Sequence, residues 1–158
     1  MTLRLWLETI HHAAFRYGGW AYARQAQEGV TGRAGGERNL TAARLDLSAM
    51  IAALEGAPPG AVAIIRSSNP SLLAIGRVMT SPPPAGSPDA PTEDLDLWAQ
   101  LLTAARGRAL TFAAAPRGPR TAAAFLGAWA EVGQDKAKTT GRFSAAIPKS
   151  NLAKLTLD

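Results

Sequence analysis

Few side chains in this sequence are of a type and spacing that can do chemistry on their own. The chain has two histidines and no cysteine, which removes disulfide scaffolds, cysteine nucleophiles and every thiolate-held zinc or iron–sulfur site together. His11 and His12 are neighbours, so on a regular element they point to different sides and cannot clamp one ion from one face; a solvent-exposed loop pair is expected. Ser68 has a nucleophile's hydroxyl, yet no His or Lys is spaced to activate it, and a serine at a strand end is an ordinary turn former. In APRGPR, Gly118 marks a turn, and Arg117 and Arg120 beside it carry guanidinium forks that match a phosphate.

Charge points the same way as those arginines. Seventeen Lys and Arg against twelve Asp and Glu give a net +5 and an isoelectric point near 10.2, a balance that suits a polyanionic partner. The excess lies mostly in the last third, after an acidic stretch formed by Asp89, Glu93, Asp94 and Asp96. With 158 residues, 47% of them apolar, the chain has material for one domain with a real core. No apolar run approaches the roughly 20 residues that span a bilayer, and MTLRLWLETI lacks the build of a signal peptide. A soluble, cytoplasmic protein with no membrane partner is the expectation.

The elements that must position these residues can be read from periodicity. Leu3, Leu5 and Leu7 alternate with Arg4, Trp6 and Glu8, the period of a strand with one face on a core, ending near Glu8. Gly18 and Gly19 open a second alternating run from Trp20 to Arg24, and Gly32, Gly35 and Gly36 suggest a third strand joined by a hairpin. Leu47, Met50, Ile51 and Leu54 then follow helical spacing, with Thr41 as N-cap and Gly56, Pro58 and Pro59 as the stop. AVAIIR, residues 61–66, reads as a central strand covered on both faces, and Pro70 starts a short helix reaching about Met79. TSPPPAGSPDAP breaks regular structure, so residues 80–92 form an exposed loop. Leu95, Trp98, Leu101, Leu102 and Ala105 mark a further helix, Ala109 to Ala115 a strand, and Thr121 to about Val132 a last helix burying Phe125 and Trp129. Trp98, Phe125 and Trp129 are expected as packing residues. An antiparallel meander followed by two strand–helix–strand crossovers implies an α/β domain with a mixed sheet flanked by helices. It spans residues 1–138, and 139–158 form a tail available to a protein partner.

Over residues 3 to 132 this order, and several local strings, resemble the type 1 ribonuclease H family. RYGGWAYAR is similar to the family's second strand, TAARLDLSAMIAALEGAP to its first helix, and DLDLWAQLLTAARGRALTF to its Asp-Leu-Trp helix and the strand after it. The resemblance implies a ribonuclease H-like five-stranded mixed sheet. In that family four carboxylates hold two magnesium ions that activate water and stabilise the leaving oxygen as the RNA strand of an RNA/DNA hybrid is cut.

By the resemblance the first carboxylate falls at Glu8, where the family has aspartate, and the second at Asp46, where it has glutamate. Each oxygen is displaced by about one methylene, roughly 1.5 Å, which matters to a two-metal site. The third position falls at Ser68, with only Ser67 or Asn69 one residue away. The fourth falls at Ala128, so that Glu131 or Asp135 serves only if the last helix is shifted or longer. The metal residues implied are therefore Glu8 and Asp46, with Asp135 as the third acid of an altered catalytic set. Between Thr41 and Arg44 the family's groove-touching asparagines are replaced by Ala42 and Ala43, which removes a contact that senses 2′-hydroxyls. The nucleic-acid contacts left are Thr41, Arg44, Arg117 and Arg120.

Two function classes follow. In the first, the chain is a degenerate, catalytically inactive relative that serves as a binding or structural component of a nucleic-acid-associated assembly, needing no cofactor. In the second, it is a nuclease with weak or altered activity on RNA/DNA hybrids, using Mg²⁺ or Mn²⁺ on Glu8, Asp46 and Asp135. The loss of the third carboxylate favours the first, because two divalent ions bring four positive charges that so few acids cannot balance.

Overall fold

A computed structural model describes residues 2–158. Its elements are β1 (Thr2–His12), β2 (Tyr17–Ala26), β3 (Gly29–Arg38), α1 (Ala42–Leu54), β4 (Val62–Ser67), α2 (Pro70–Thr80), α3 (Leu95–Ala105), β5 (Ala109–Ala114), α4 (Ala122–Thr140), β6 (Phe143–Ala146) and α5 (Lys149–Leu152). They build one mixed sheet in the order β5-β4-β1-β2-β3-β6. β1, β2, β3 and β6 pair antiparallel, and β4 joins β1 and β5 in parallel.

The period-2 alternation of β1 divides the core in two. Leu3, Leu5 and Leu7 are buried with α1 and α3 on one face, in the larger cluster that also holds Met50, Leu54, Ile65 and Leu101. Trp6 faces the other way, into a smaller cluster with Ala21, Ala34, Leu126 and Ala130 under α4. Local chemistry fixes the helix starts: the Thr41 hydroxyl accepts the Arg44 N–H at 3.2 Å, and Asn69 caps α2 with Pro70 in its first turn. Trp98, Phe125 and Trp129 pack against the two clusters as expected.

Several sequence expectations are corrected. The sheet has six strands rather than five, because residues 143–146 pair with β3. The segment 139–158 contains the end of α4, β6 and α5, and Ile147 and Leu152 are buried beside Leu126 while Leu155 and Leu157 pack against them. α4 runs to Thr140 instead of stopping near Val132. β1 continues past Glu8 to His12, so the histidine pair lies in a strand and not a loop; His11 Nε2 sits 2.9 Å from the Leu40 carbonyl oxygen. β4 is closed on only one face, with Val62 43% exposed on the other.

Gly18, Gly19, Gly32, Gly35 and Gly36 lie within β2 and β3, and at Gly19 and Gly36 the reason is α4. A Cβ on Gly19 would fall 1.9 Å from the Ala130 carbonyl oxygen, and one on Gly133 would fall 1.9 Å from that of Gly35. Helix backbone therefore rests directly on sheet backbone, a close approach only glycine permits. No helix among the described residues is long and apolar enough to cross a membrane.

Candidate functional site

The ends of β1 and β4 lie side by side in parallel, and α1 and the start of α2 close over them. Glu8 and Asp46, from β1 and α1, are brought to this corner and are almost fully buried, 6% and 5% exposed. Buried carboxylates need donors or counter-ions. Here the donors are neutral. Glu8 accepts the Ser68 backbone N–H at 2.7 Å on Oε1 and the Ser67 hydroxyl at 3.4 Å on Oε2. Asp46 accepts the Thr9 hydroxyl at 2.7 Å on Oδ1 and the Ser71 hydroxyl at 2.5 Å on Oδ2.

Asn69 joins the two halves. Its side-chain amide donates to Thr9 Oγ1 at 2.8 Å, and its backbone N–H donates to Ser67 Oγ at 3.0 Å. All four carboxylate oxygens are thus tied into one network of hydroxyls, an amide and backbone. Burial pushes both carboxyls above their ordinary range; Ser68 and Ser67 oppose this at Glu8, and Ser71 and Thr9 oppose it at Asp46. Ser71 Oγ also lies 2.8 Å from Asn69 Oδ1, and one hydroxyl proton cannot serve both neighbours.

Ser68 stands beside Glu8 at the end of β4, and its carbonyl accepts the Arg117 guanidinium at 2.6 Å from Nη2. Arg117 is the cation nearest this chemistry and it also favours the charged form of Glu8. Asp135 does not join the network. It lies exposed on α4 and makes no hydrogen bond or ion pair there, because the face of α4 that meets the sheet carries Ala122, Leu126, Ala130, Gly133 and Ala137 instead. Ala128, at the fourth position, is exposed too. Among the described residues no three or more His, Asp or Glu side chains come together to hold a metal. Two carboxylates with every oxygen already hydrogen-bonded do not fit a pair of Mg²⁺ or Mn²⁺ ions, which demand several anionic oxygens at short, near-octahedral distance.

The expected nucleic-acid contacts separate. Arg44 is turned inward onto acids, at 3.1 Å from Asp94 Oδ1 and 2.7 Å from Asp96 Oδ2; Asp96 first, then Asp94, raises its pKa further. Its fork is occupied, which leaves it little to offer a phosphate. Thr41 spends its hydroxyl on the helix cap. Arg117 and Arg120 are exposed in the β5–α4 loop, and Arg120 has a left-handed backbone, φ 62°.

Sequence reasoning missed Thr9, Ser67, Asn69 and Ser71. The signal was present in the string SSNPS directly after an apolar strand and in a threonine following Glu8. It reads as turn and capping chemistry until the fold brings it onto the acids.

No family model matches the chain, and no curated protein matches it by sequence. Solved structures do. The N-terminal RNase H domain of a Mycobacterium tuberculosis protein, solved as a fusion with maltose binding protein, superposes with a TM-score of 0.65 at 15% identity over 88% of this chain and 97% of its own. The chain has a ribonuclease H fold. LC9-RNase H1, described as a type 1 RNase H with the type 2 active-site motif, gives 0.63 at 12% identity over 99% of this chain and 86% of that one. RNase H1 from Halobacterium salinarum NRC-1 gives 0.55 at 18%, over 86% and 99%. At these identities the likeness is one of fold. On this ribonuclease H fold, the corner formed by β1, α1 and β4 is occupied by the neutral network around Glu8 and Asp46.

Proposed function

We propose that this ribonuclease H-fold protein is catalytically inactive as a nuclease and works as a binding or structural component of a nucleic-acid-associated assembly. The observation that carries the reading is that every carboxylate oxygen of Glu8 and Asp46 already accepts a hydrogen bond, from Ser67, Ser68, Thr9 or Ser71. A site that needs two cations keeps its oxygens open to them, whereas this one closes on itself. The basic balance of the chain and the exposed Arg117 and Arg120 support an anionic partner. The segment 141–158 is packed into the domain, so attachment to such an assembly runs over the folded surface and not through a free arm.

A second reading, a metal-dependent nuclease of weak or altered activity on RNA/DNA hybrids, is favoured by one observation. A similar structure is described as carrying a different type's active-site motif, and Glu8 and Asp46 are both present at the corner.

Labelled RNA/DNA hybrid incubated with the protein in Mg²⁺ or Mn²⁺ separates the two. The expected result is binding at low salt without cleavage, weakening steeply as salt rises. Cleavage that disappears in Glu8→Gln overturns the first reading in favour of the second. Failure of hybrid, duplex and single strands alike to bind at low salt overturns both.

A further inference from the structure

The hairpin between β1 and β2 carries a group of rings that no core requires. His12 and Tyr17 occupy directly paired positions at the end of the two strands, and their rings stack with centroids 5.2 Å apart and planes 23° from parallel. Phe15 folds back from the turn onto them, 5.0 Å from His12 and within 10° of parallel to Tyr17 at 6.2 Å. It remains 70% exposed, the most open large apolar side chain among the described residues. Phe15 and Tyr17 thus lie near-parallel, with His12 stacked on Tyr17 and tilted 33° to Phe15, and the cluster presents an aromatic face to water, where a lone phenyl would ordinarily gain from burial.

The surroundings favour one kind of occupant. Arg16 sits in the same turn, and Arg38 occupies the β3 position paired with Tyr17; both are exposed and neither forms an ion pair among the described residues. A flat aromatic face flanked by unpaired guanidinium groups matches a ligand made of planar bases on an anionic backbone. The hairpin also extends β1 by four residues beyond Glu8, roughly 13 Å at the usual rise of a strand. Its face is therefore separate from the network at the β1–β4 corner.

We infer that Phe15, backed by His12 and Tyr17, is a stacking platform for an unpaired base of single-stranded nucleic acid, with Arg16 and Arg38 holding the adjoining phosphates. The inference rests on the nucleic-acid reading above and specifies the strand state that this surface takes. Bases in a duplex have both faces covered by their neighbours and cannot lie on a side chain without being unstacked. Single-stranded RNA and DNA are expected to bind alike, because a ring face does not sense the 2′-hydroxyl.

The test is fluorescence anisotropy of labelled single-stranded oligonucleotides and of a duplex of the same length, at low salt, with the wild-type chain and with Phe15→Ala, Phe15→Leu and Phe15→Trp. Phe15→Ala and Phe15→Leu are expected to weaken single-strand binding about tenfold or more and to leave duplex binding unchanged, while Phe15→Trp retains it. An oligonucleotide carrying 2-aminopurine should lose fluorescence on binding wild type and not on binding Phe15→Ala. Because Phe15 is largely exposed, circular dichroism melting of the variants is expected to match wild type. Single-strand affinity unchanged in Phe15→Ala, or single-strand and duplex affinity falling together, overturns the platform and leaves the nucleic-acid reading standing. No binding of either nucleic acid by the wild-type chain removes both.

Discussion

Thr9→Val tests whether neutral donors hold the buried carboxylates. The substitution keeps the side chain's shape and removes one hydroxyl, which donates to Asp46 Oδ1 at 2.7 Å and accepts from Asn69 Nδ2 at 2.8 Å. Both partners are left without that contact. A hydrogen bond to an ionised group contributes about 1.5–3 kcal/mol, and a neutral one about 0.5–1.5 kcal/mol. The expected destabilisation near neutral pH is therefore about 2–4 kcal/mol. Urea unfolding followed by tryptophan fluorescence would see it: with a slope of about 2 kcal/mol per molar in urea, the middle of the usual range, the midpoint drops by roughly 1–2 M. At acid pH, where Asp46 carries its proton, only neutral bonds are lost and the deficit shrinks to about 1–3 kcal/mol. A loss under about 1 kcal/mol at neutral pH refutes the reasoning. So does recovery of the wild-type midpoint on adding millimolar Mg²⁺, because a cation would then be holding Asp46.

Burial raises the folded-state pKa of both Glu8 and Asp46 above their ordinary values of 4.5 and 3.8. Their contribution to stability is thus present in full below those values and is lost as pH rises through the raised folded values. Wild type should lose stability over that rise in chemical denaturation, and the Glu8→Gln, Asp46→Asn double variant should show a flatter profile. Arg117→Ala is expected to weaken nucleic-acid binding and to reduce the slope of log affinity against log salt by about 1, whereas Arg44→Ala, whose fork is held by Asp94 and Asp96, should leave both nearly unchanged. Deleting residues 141–158 removes β6 and uncovers Trp6, with loss of buried Ile147 and Leu152. At about 1.5–3 kcal/mol per side chain this takes a large part of a typical domain's stability, and the truncated chain should melt well below the full one or fail to remain soluble.

The legible parts of the fold were those governed by local periodicity. The leucines of β1, the i, i+3, i+4 spacing of α1, the cap at Thr41 and Pro70 in the first turn of α2 all act over a few residues, and these elements form there, although β1 runs on to His12. β6 was not legible because a four-residue strand has too short a pattern to recognise; it forms only because β3 offers an edge. The role of Gly19 and Gly36 was not legible either, since the helix that requires them lies about a hundred residues away in the chain and its approach leaves no local trace. At the candidate site Glu8, Asp46 and Ser68, singled out in the sequence, lie in one corner. Their hydrogen-bond partners were not legible, because Thr9, Ser67, Asn69 and Ser71 are individually common polar residues whose roles arise only when β1, α1 and α2 converge.

β6 also sets an order on folding during synthesis. The outer edge of β3 is complete once residue 38 has left the ribosome, yet the strand that covers it begins at Phe143. Until then the nascent meander presents a row of unpaired backbone donors and acceptors, a template for pairing with any other extended chain. A slow ribosome or a high local concentration therefore exposes this protein to aggregation at one definable place, and a chaperone that shields the β3 edge would serve it better than one that shields its apolar core.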